Sequence, residues 1–321
     1  MRRLFPFQIS LLSLICLAGI ILIPSCASSE SSDNQQETQR TGPPIIVATT
    51  GIIGDALINI TGGTCEVKSL MGSGVDPHYY IPSLGDQKAL RSADAVVYNG
   101  LHLEGKMVEV LENIARNKPV YAIANGIDKS RFRVVAGTDG ETLNDPHIWF
   151  DVVLWADGIR SMTAWLGETF PELKNEFDAN ADTYLTQLNQ LHEISITELS
   201  KVPESQRVLV TSHDAFGYFG AAYGYTVRGL QGISTVTEFG LKDVTDLVDY
   251  IIDNNIPSVF VESSTSSKSL VSVVEGCAQK GHDLKIISEL YADAMGEAGT
   301  KDGTYIGMIQ HNINLLTLNL K

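Results

Sequence analysis

Cysteine, basic residues and long apolar runs are all scarce in this sequence. It has four cysteines in 321 residues, and none stands in a Cys-x-x-Cys pair. That excludes a thiolate zinc site. Lys and Arg number 23 against 38 Asp and Glu, a formal charge of −15. Nucleic-acid binding leaves a basic footprint, so this balance argues against it. An acidic surface is compatible with cationic ligands but names no function by itself. There is no His-Glu-x-x-His motif of the kind that builds a metalloprotease site. The apolar run from about Leu11 to Ile23 is too short for a comfortable membrane span. What is present, 44% hydrophobic and 19% charged residues, describes an ordinary globular chain. Its length suggests about two domains, each able to bury its own core.

The N-terminus reads as a targeting segment. Arg2 and Arg3 precede the apolar run, which ends at Ile23-Pro24-Ser25-Cys26 before a stretch rich in Ser, Glu and Gln. The pattern resembles a bacterial lipoprotein signal over 1–26, with Cys26 as the lipidated first residue of the mature chain and 27–43 as a flexible linker. The expected location is outside the cytoplasm, in the periplasm or on the outer face of the cytoplasmic membrane. With Cys16 in the signal and Cys26 as anchor, only Cys65 and Cys277 remain. They lie in what read as different lobes, where a disulfide would clamp the two together, so two buried thiols are expected.

From Pro44 onward, short β-branched runs alternate with longer amphipathic stretches. Strands are expected at Ile45–Thr49, Cys65–Leu70, Ala95–Tyr98 and Pro119–Ile123. A second set is expected at Arg207–Thr211, Tyr225–Leu230, Ser258–Val261 and Leu284–Ile287. Helices are expected between them, among others at Ser83–Ser92, Leu103–Arg116, Leu241–Asn254 and Lys268–Lys280. The predicted fold class is therefore α/β, with one parallel sheet flanked by helices in each of two lobes, 44–171 and 203–321. Between them, Glu172–Leu199 holds neither Gly nor Pro. Phe177, Leu185, Leu188, Leu191 and Ile194 recur there at helical spacing, so 172–202 reads as a stiff linking helix.

Open α/β sheets bind ligands beyond the carboxyl ends of their strands. On that rule His78, His147, His213 and Asp293 all fall on segments leaving strands and face one cleft drawn from both halves. Imidazole and carboxylate suit zinc, and also manganese or iron when oxygen is included. The four residues follow no local ligand spacing, and each histidine could equally be a hydrogen-bonded residue of its turn. Glu262, at another strand end, could orient a ligand imidazole or serve as a cap or salt-bridge partner. Asp76 and Asp145, each before Pro-His, are expected to fix their turns. His102 reads as a surface residue, and His192, His282 and His311 as solvated.

Four ordered segments carry a resemblance. Gly74-Val75-Asp76-Pro77-His78, Asp145-Pro146-His147-Ile148-Trp149, Ser212-His213-Asp214-Ala215-Phe216-Gly217-Tyr218-Phe219 and Ala292-Asp293-Ala294-Met295-Gly296 resemble metal-ligand motifs. They are those of the TroA-like (ZnuA/PsaA) metal-binding proteins of ABC transporters. Asn99-Gly100-Leu101 with Glu104, and Gly229 to Ser234, resemble further segments of that family. The resemblance runs from about Pro44 to the end of the chain. It implies a rigid linking helix and one divalent metal ion held between the lobes by His78, His147, His213 and Asp293. It also implies delivery to a membrane permease by a lipid-anchored monomer. Zinc-dedicated members often carry a long His-rich loop before the second ligand, whereas Thr138–Asn144 is short and has no His. Manganese-dedicated members often place Glu at the third ligand, where this chain has His213. Three nitrogens and one carboxylate favour zinc, with manganese or iron as the other cargoes. A zinc hydrolase and a surface adhesin are the alternative functions.

Overall fold

The computed structural model describes residues 42–136 and 141–320. The expected signal segment, Cys26 and most of the expected linker lie outside the described residues. The first lobe contains β1 (Ile45–Ala48), α1 (Gly51–Thr61), β2 (Glu66–Ser69), α2 (Leu84–Ser92), β3 (Ala95–Tyr98), α3 (Val108–Ala115) and β4 (Val120–Ala122). Helices α1 and α2 are bounded by recognisable caps. Ser83 and Asp86 form a reciprocal capping box on α2, and Gly62, at φ 55, closes α1 in the left-handed conformation that glycine tolerates. The strands pair in parallel in the order β2-β1-β3-β4.

An antiparallel hairpin follows, β5 (Val134–Ala136) with β6 (Thr142–Asn144). It was not expected. Its six residues are mostly exposed and show no sustained alternation of apolar and polar side chains, so no period announces it. Helices α4 (Val152–Thr169) and α5 (Lys174–Leu199) then lead into the second lobe. That lobe contains β7 (Val208–His213), α6 (Gly217–Tyr223), β8 (Thr226–Gln231), α7 (Leu241–Asp253), β9 (Ser258–Glu262), α8 (Lys268–Gln279), β10 (Lys285–Leu290) and α9 (Tyr305–Asn319). Its parallel sheet has the order β10-β9-β7-β8. Counted within each lobe, both sheets share one order, second-first-third-fourth. The chain therefore changes direction between β1 and β3 in one lobe and between β7 and β9 in the other. Those switch points are where open α/β sheets bind ligands.

Each sheet separates two layers of core. Ile46 and Ala48 of β1 face one cluster while Ile45 and Val47 face another, as strand alternation requires. The outer faces have their own small cores. The larger cluster instead runs through both lobes, from Ile46 and Val97 through Trp155, Phe177 and Leu188 to Leu209, Phe260 and Tyr305. The expectation that each half buries its own core therefore holds only for the outer layers. The linking helix α5 is 26 residues, about 39 Å at 1.5 Å per residue. Its buried line is Phe177, Ala181, Tyr184, Leu188, Leu191, Ser195 and Leu199. Ile194 is instead 45% exposed. Ser195 takes the buried position because its hydroxyl donates to Leu191 O at 2.7 Å and needs no other partner. Cys65 and Cys277 are free, buried thiols in separate clusters. No described helix is long and apolar enough to cross a membrane.

A continuous apolar core between lobes opposes large relative motion. Scattering profiles of metal-free and metal-loaded protein should therefore nearly coincide. A change of several ångströms in radius of gyration would refute a rigid linkage.

Candidate metal centre

His78 and His147 are placed by the same local device. Asp76 Oδ1 accepts the His78 N–H at 2.9 Å, and Asp145 Oδ1 accepts the His147 N–H at 3.0 Å. Each Asp-Pro-His is thus a turn closed by its own aspartate. The two then differ. Asp145 also meets His147 Nδ1 at 2.7 Å, whereas the second oxygen of Asp76 accepts from Thr235 Oγ1 at 2.7 Å.

His213 is the last residue of β7, and Glu262 the last of β9, beside it at the switch point. Glu262 accepts from Ser212 N, His213 N and Thr265 Oγ1, and lies 3.1 Å from His213 Nδ1. It therefore ties the ends of β7 and β9 together and sits against the imidazole. The backbone after His213 runs close to β8 at Gly229, where a Cβ would come within 2.4 Å of Asp214 N. Only glycine fits that approach.

Asp293 follows β10 on a loop held by α9. Asn312 donates to Tyr291 O at 2.7 Å and accepts from Tyr291 N at 3.0 Å. Trp149, two residues beyond His147, donates from Nε1 to Ala292 O at 3.1 Å, and Tyr305 donates to Trp149 O at 2.7 Å. Asn99 donates to Pro146 O at 2.9 Å. These supports were not identified in the sequence. Trp149, Asn99 and Glu104 do lie within segments that carry the family resemblance, but Asn312 and Tyr305 carry no local signal.

The structure brings the four residues together. Each of His78, His147, His213 and Asp293 is at most 3% exposed, and each offers one donor atom, all within 4.8 Å of one another. The three Nε2 atoms lie 3.7, 3.5 and 3.3 Å from Asp293 oxygens. An ionised carboxylate can only accept, so Asp145 and Glu262 each favour a proton on Nδ1 of His147 and His213, and an imidazole so held, once neutral, turns its Nε2 lone pair toward the centre. The Nε2 atoms and both Asp293 oxygens are buried without a hydrogen-bond partner among the described residues. Buried polar atoms are normally satisfied, and five converging exceptions fit a cation at their middle.

Electrostatics separates the imidazoles. Burial pulls His78 down to about 3, against the attraction of Asp293. Burial pulls His213 down as well, but Asp293 and Glu262 outweigh it and hold it well above its ordinary value. Burial would raise Asp293, but the three imidazoles, His213 foremost, hold its carboxyl below the usual range. The centre is thus an ionised carboxylate among imidazoles of unequal basicity.

A cavity of about 670 Å³ opens beside His78 and is also lined by Tyr98, His102, Glu112, Asn144 and Ser234. His102 is exposed on its wall. His192, His282 and His311 are half-buried rather than solvated. His282 Nε2 sits 2.7 Å from Ile256 O, and His311 Nε2 sits 2.9 Å from Glu289 O, so backbone carbonyls hold both rings against the protein.

If Glu262 orients His213 for a metal, Glu262→Ala lowers affinity for the ion by about 10- to 100-fold. Competition titration against a chelator reads this directly. An affinity within twofold of the parent chain would show that strand geometry alone aims His213.

The model of the family described as zinc-uptake complex component A, periplasmic, matches residues 46–318. The manganese-binding lipoprotein MntA of Bacillus subtilis is 49% identical over 276 residues, covering 86% of this chain and 89% of that protein. The zinc-binding protein TroA of Treponema pallidum is 40% identical over 279 residues, covering 87% and 89%. The solved structure of the periplasmic zinc-binding TroA superposes with a TM-score of 0.83, covering 87% of this chain and 99% of that one. That of Fe(III)-bound YtgA from Chlamydia trachomatis gives 0.77 at 26% identity, covering 86% and 98%.

Proposed function

This chain belongs to the ZnuA family of metal-binding proteins, and on that premise we propose that His78, His147, His213 and Asp293 hold one divalent ion as its cargo. The chain is a metal-binding solute-binding protein of an ABC transporter and works outside the cytoplasm. Its partner is the transporter's membrane permease. The observation that carries the ligand assignment is the convergence of four buried residues on donor atoms with no other partner.

Zinc is the ion this donor set suits best, since three imidazoles and one carboxylate are borderline-soft and zinc stands above manganese in affinity at such sites. Manganese keeps weight because the 49% identical relative is named for manganese, and iron because a structural neighbour holds Fe(III). Four protein donors fill a tetrahedral zinc and leave no place for the activated water that a hydrolase needs. Lipidation of Cys26 tethers the monomer to the membrane, in keeping with the lipoprotein relative.

Metal content after growth in defined medium, followed by zinc–manganese competition at two pH values, tests the reading. One ion per chain is expected. Protons compete for the same Nε2 atoms, and His213 holds its proton more tightly than an ordinary imidazole. Affinity should therefore rise with pH through neutrality and weaken about tenfold or more per unit below about pH 6. A flat profile, or a chain that retains no zinc, manganese or iron, would overturn the assignment.

A further inference from the structure

Among the proposed ligands His78 is supported differently from the other two histidines. His147 and His213 each have a carboxylate against Nδ1. His78 has no such carboxylate partner among the described residues, and it is the one donor that lines the open cavity. Its orientation rests on its backbone, through the Asp76 Oδ1 bond to the His78 N–H. Asp76 is in turn held from the other lobe, because its Oδ2 accepts the Thr235 hydroxyl at 2.7 Å, across 159 residues of chain.

Thr235 is not a chance surface contact. It is 5% exposed and sits on the loop leaving β8. Gln231 Nε2 braces that loop from within, donating to Thr235 O and Thr237 O. A Thr237 N to Ser234 O bond closes the turn at 3.0 Å. The neighbouring Ile233 and Ser234 line the same cavity as His78. One carboxylate therefore joins the first-lobe arm carrying His78 to a preformed turn of the second lobe.

Resting on the ligand assignment above, we propose that Asp76 and Thr235 form a clasp across the cleft that keeps His78 on the ion. The Thr235 hydroxyl, which is not a ligand, thereby sets how long the ion stays. Thr235 is a positioning residue. With the clasp made, the arm cannot swing toward the cavity without stranding the buried Thr235 hydroxyl and an oxygen of the half-buried Asp76 carboxylate. With it broken, His78 leaves the ion more often while the other three donors stay in place, and release accelerates.

The test loads the full chain with zinc and follows release into a chromophoric chelator by stopped flow. Thr235→Val removes the hydroxyl at nearly constant shape, and Thr235→Ser keeps it. We expect Thr235→Val to release zinc about tenfold faster at unchanged stoichiometry, the loss of a hydrogen bond to a charged group. Thr235→Ser should stay within about twofold of the parent. In a His78→Ala background, Thr235→Val should add no further acceleration, because the clasp acts only through His78. Parent-like release by Thr235→Val overturns the clasp, and so does equal acceleration with His78 absent. A parent chain that retains no zinc, manganese or iron would instead sink the ligand assignment, with the clasp alongside it.

Discussion

Alanine at Asp293 should weaken binding of the divalent ion by about a thousandfold. Asp293 is the sole carboxylate among the four proposed donors and lies 3.3 to 3.7 Å from the three Nε2 atoms. Removing one partner of a buried charge pair costs about 3–5 kcal/mol, and each 1.4 kcal/mol is tenfold in affinity. A simple readout is thermal. An ion at 1,000 times its dissociation constant stabilises the folded chain by about 4 kcal/mol, and a thousandfold loss reduces this to about 0.4 kcal/mol at the same concentration. The melting temperature of the parent should rise by roughly 10 °C with zinc, and that of Asp293→Ala by about one degree. His102→Ala, on the cavity wall, should keep the full rise. A large zinc-induced rise that survives in Asp293→Ala would require the donor set to be redrawn.

Glu104→Ala should destabilise the fold by about 4 kcal/mol without touching a donor atom. Glu104 is 2% exposed and sits at the switch point of the first sheet. It accepts from Thr49 Oγ1 and Asn99 N, each at 2.7 Å, and from Gly100 N at 3.3 Å. Those bonds tie the ends of β1 and β3 together and hold a turn in which Gly100, Leu101 and His102 all have positive φ, at 87, 53 and 63°. Leu and His carry a steric cost there that surrounding contacts must offset. Truncation leaves three donors without their acceptor and frees the strained turn. Urea unfolding should show a lower midpoint at constant slope, with a melting temperature roughly 10 °C lower. Glu104→Gln, which keeps one acceptor oxygen, should lose about half as much. A cost under about 1 kcal/mol for Glu104→Ala would mean that water replaces the carboxylate there.

Effects at these two positions divide what was legible in the chain from what was not. Both sheets could be read directly, because most of the eight strands are short runs holding β-branched residues set between longer amphipathic stretches, and periodicity is a local property. The two Asp-Pro-His turns were legible for the same reason, since each aspartate closes on a backbone N–H two residues away. His213 and Asp293 could be placed at strand ends once the strands were known. The hairpin β5–β6 escaped because six mostly exposed residues impose no period. Ile194 falls at helical spacing yet lies on the exposed side of α5, and the buried position goes to Ser195, whose hydroxyl bonds within its own helix.

The partners that aim and hold the donors belong to another level. Glu262 reaches His213 only because β9 lies beside β7, 49 residues on, and strands buried on both faces are too uniformly apolar to encode their order. Thr235 meets Asp76, and Trp149 meets Ala292, only when the two lobes face each other. The single core that runs through both lobes is likewise a product of packing. Local sequence determined which residues could bind a metal and on which loops they stand. Sheet order and the apposition of the lobes decided that their donor atoms converge and are held, because those contacts join residues whose proximity no local pattern records.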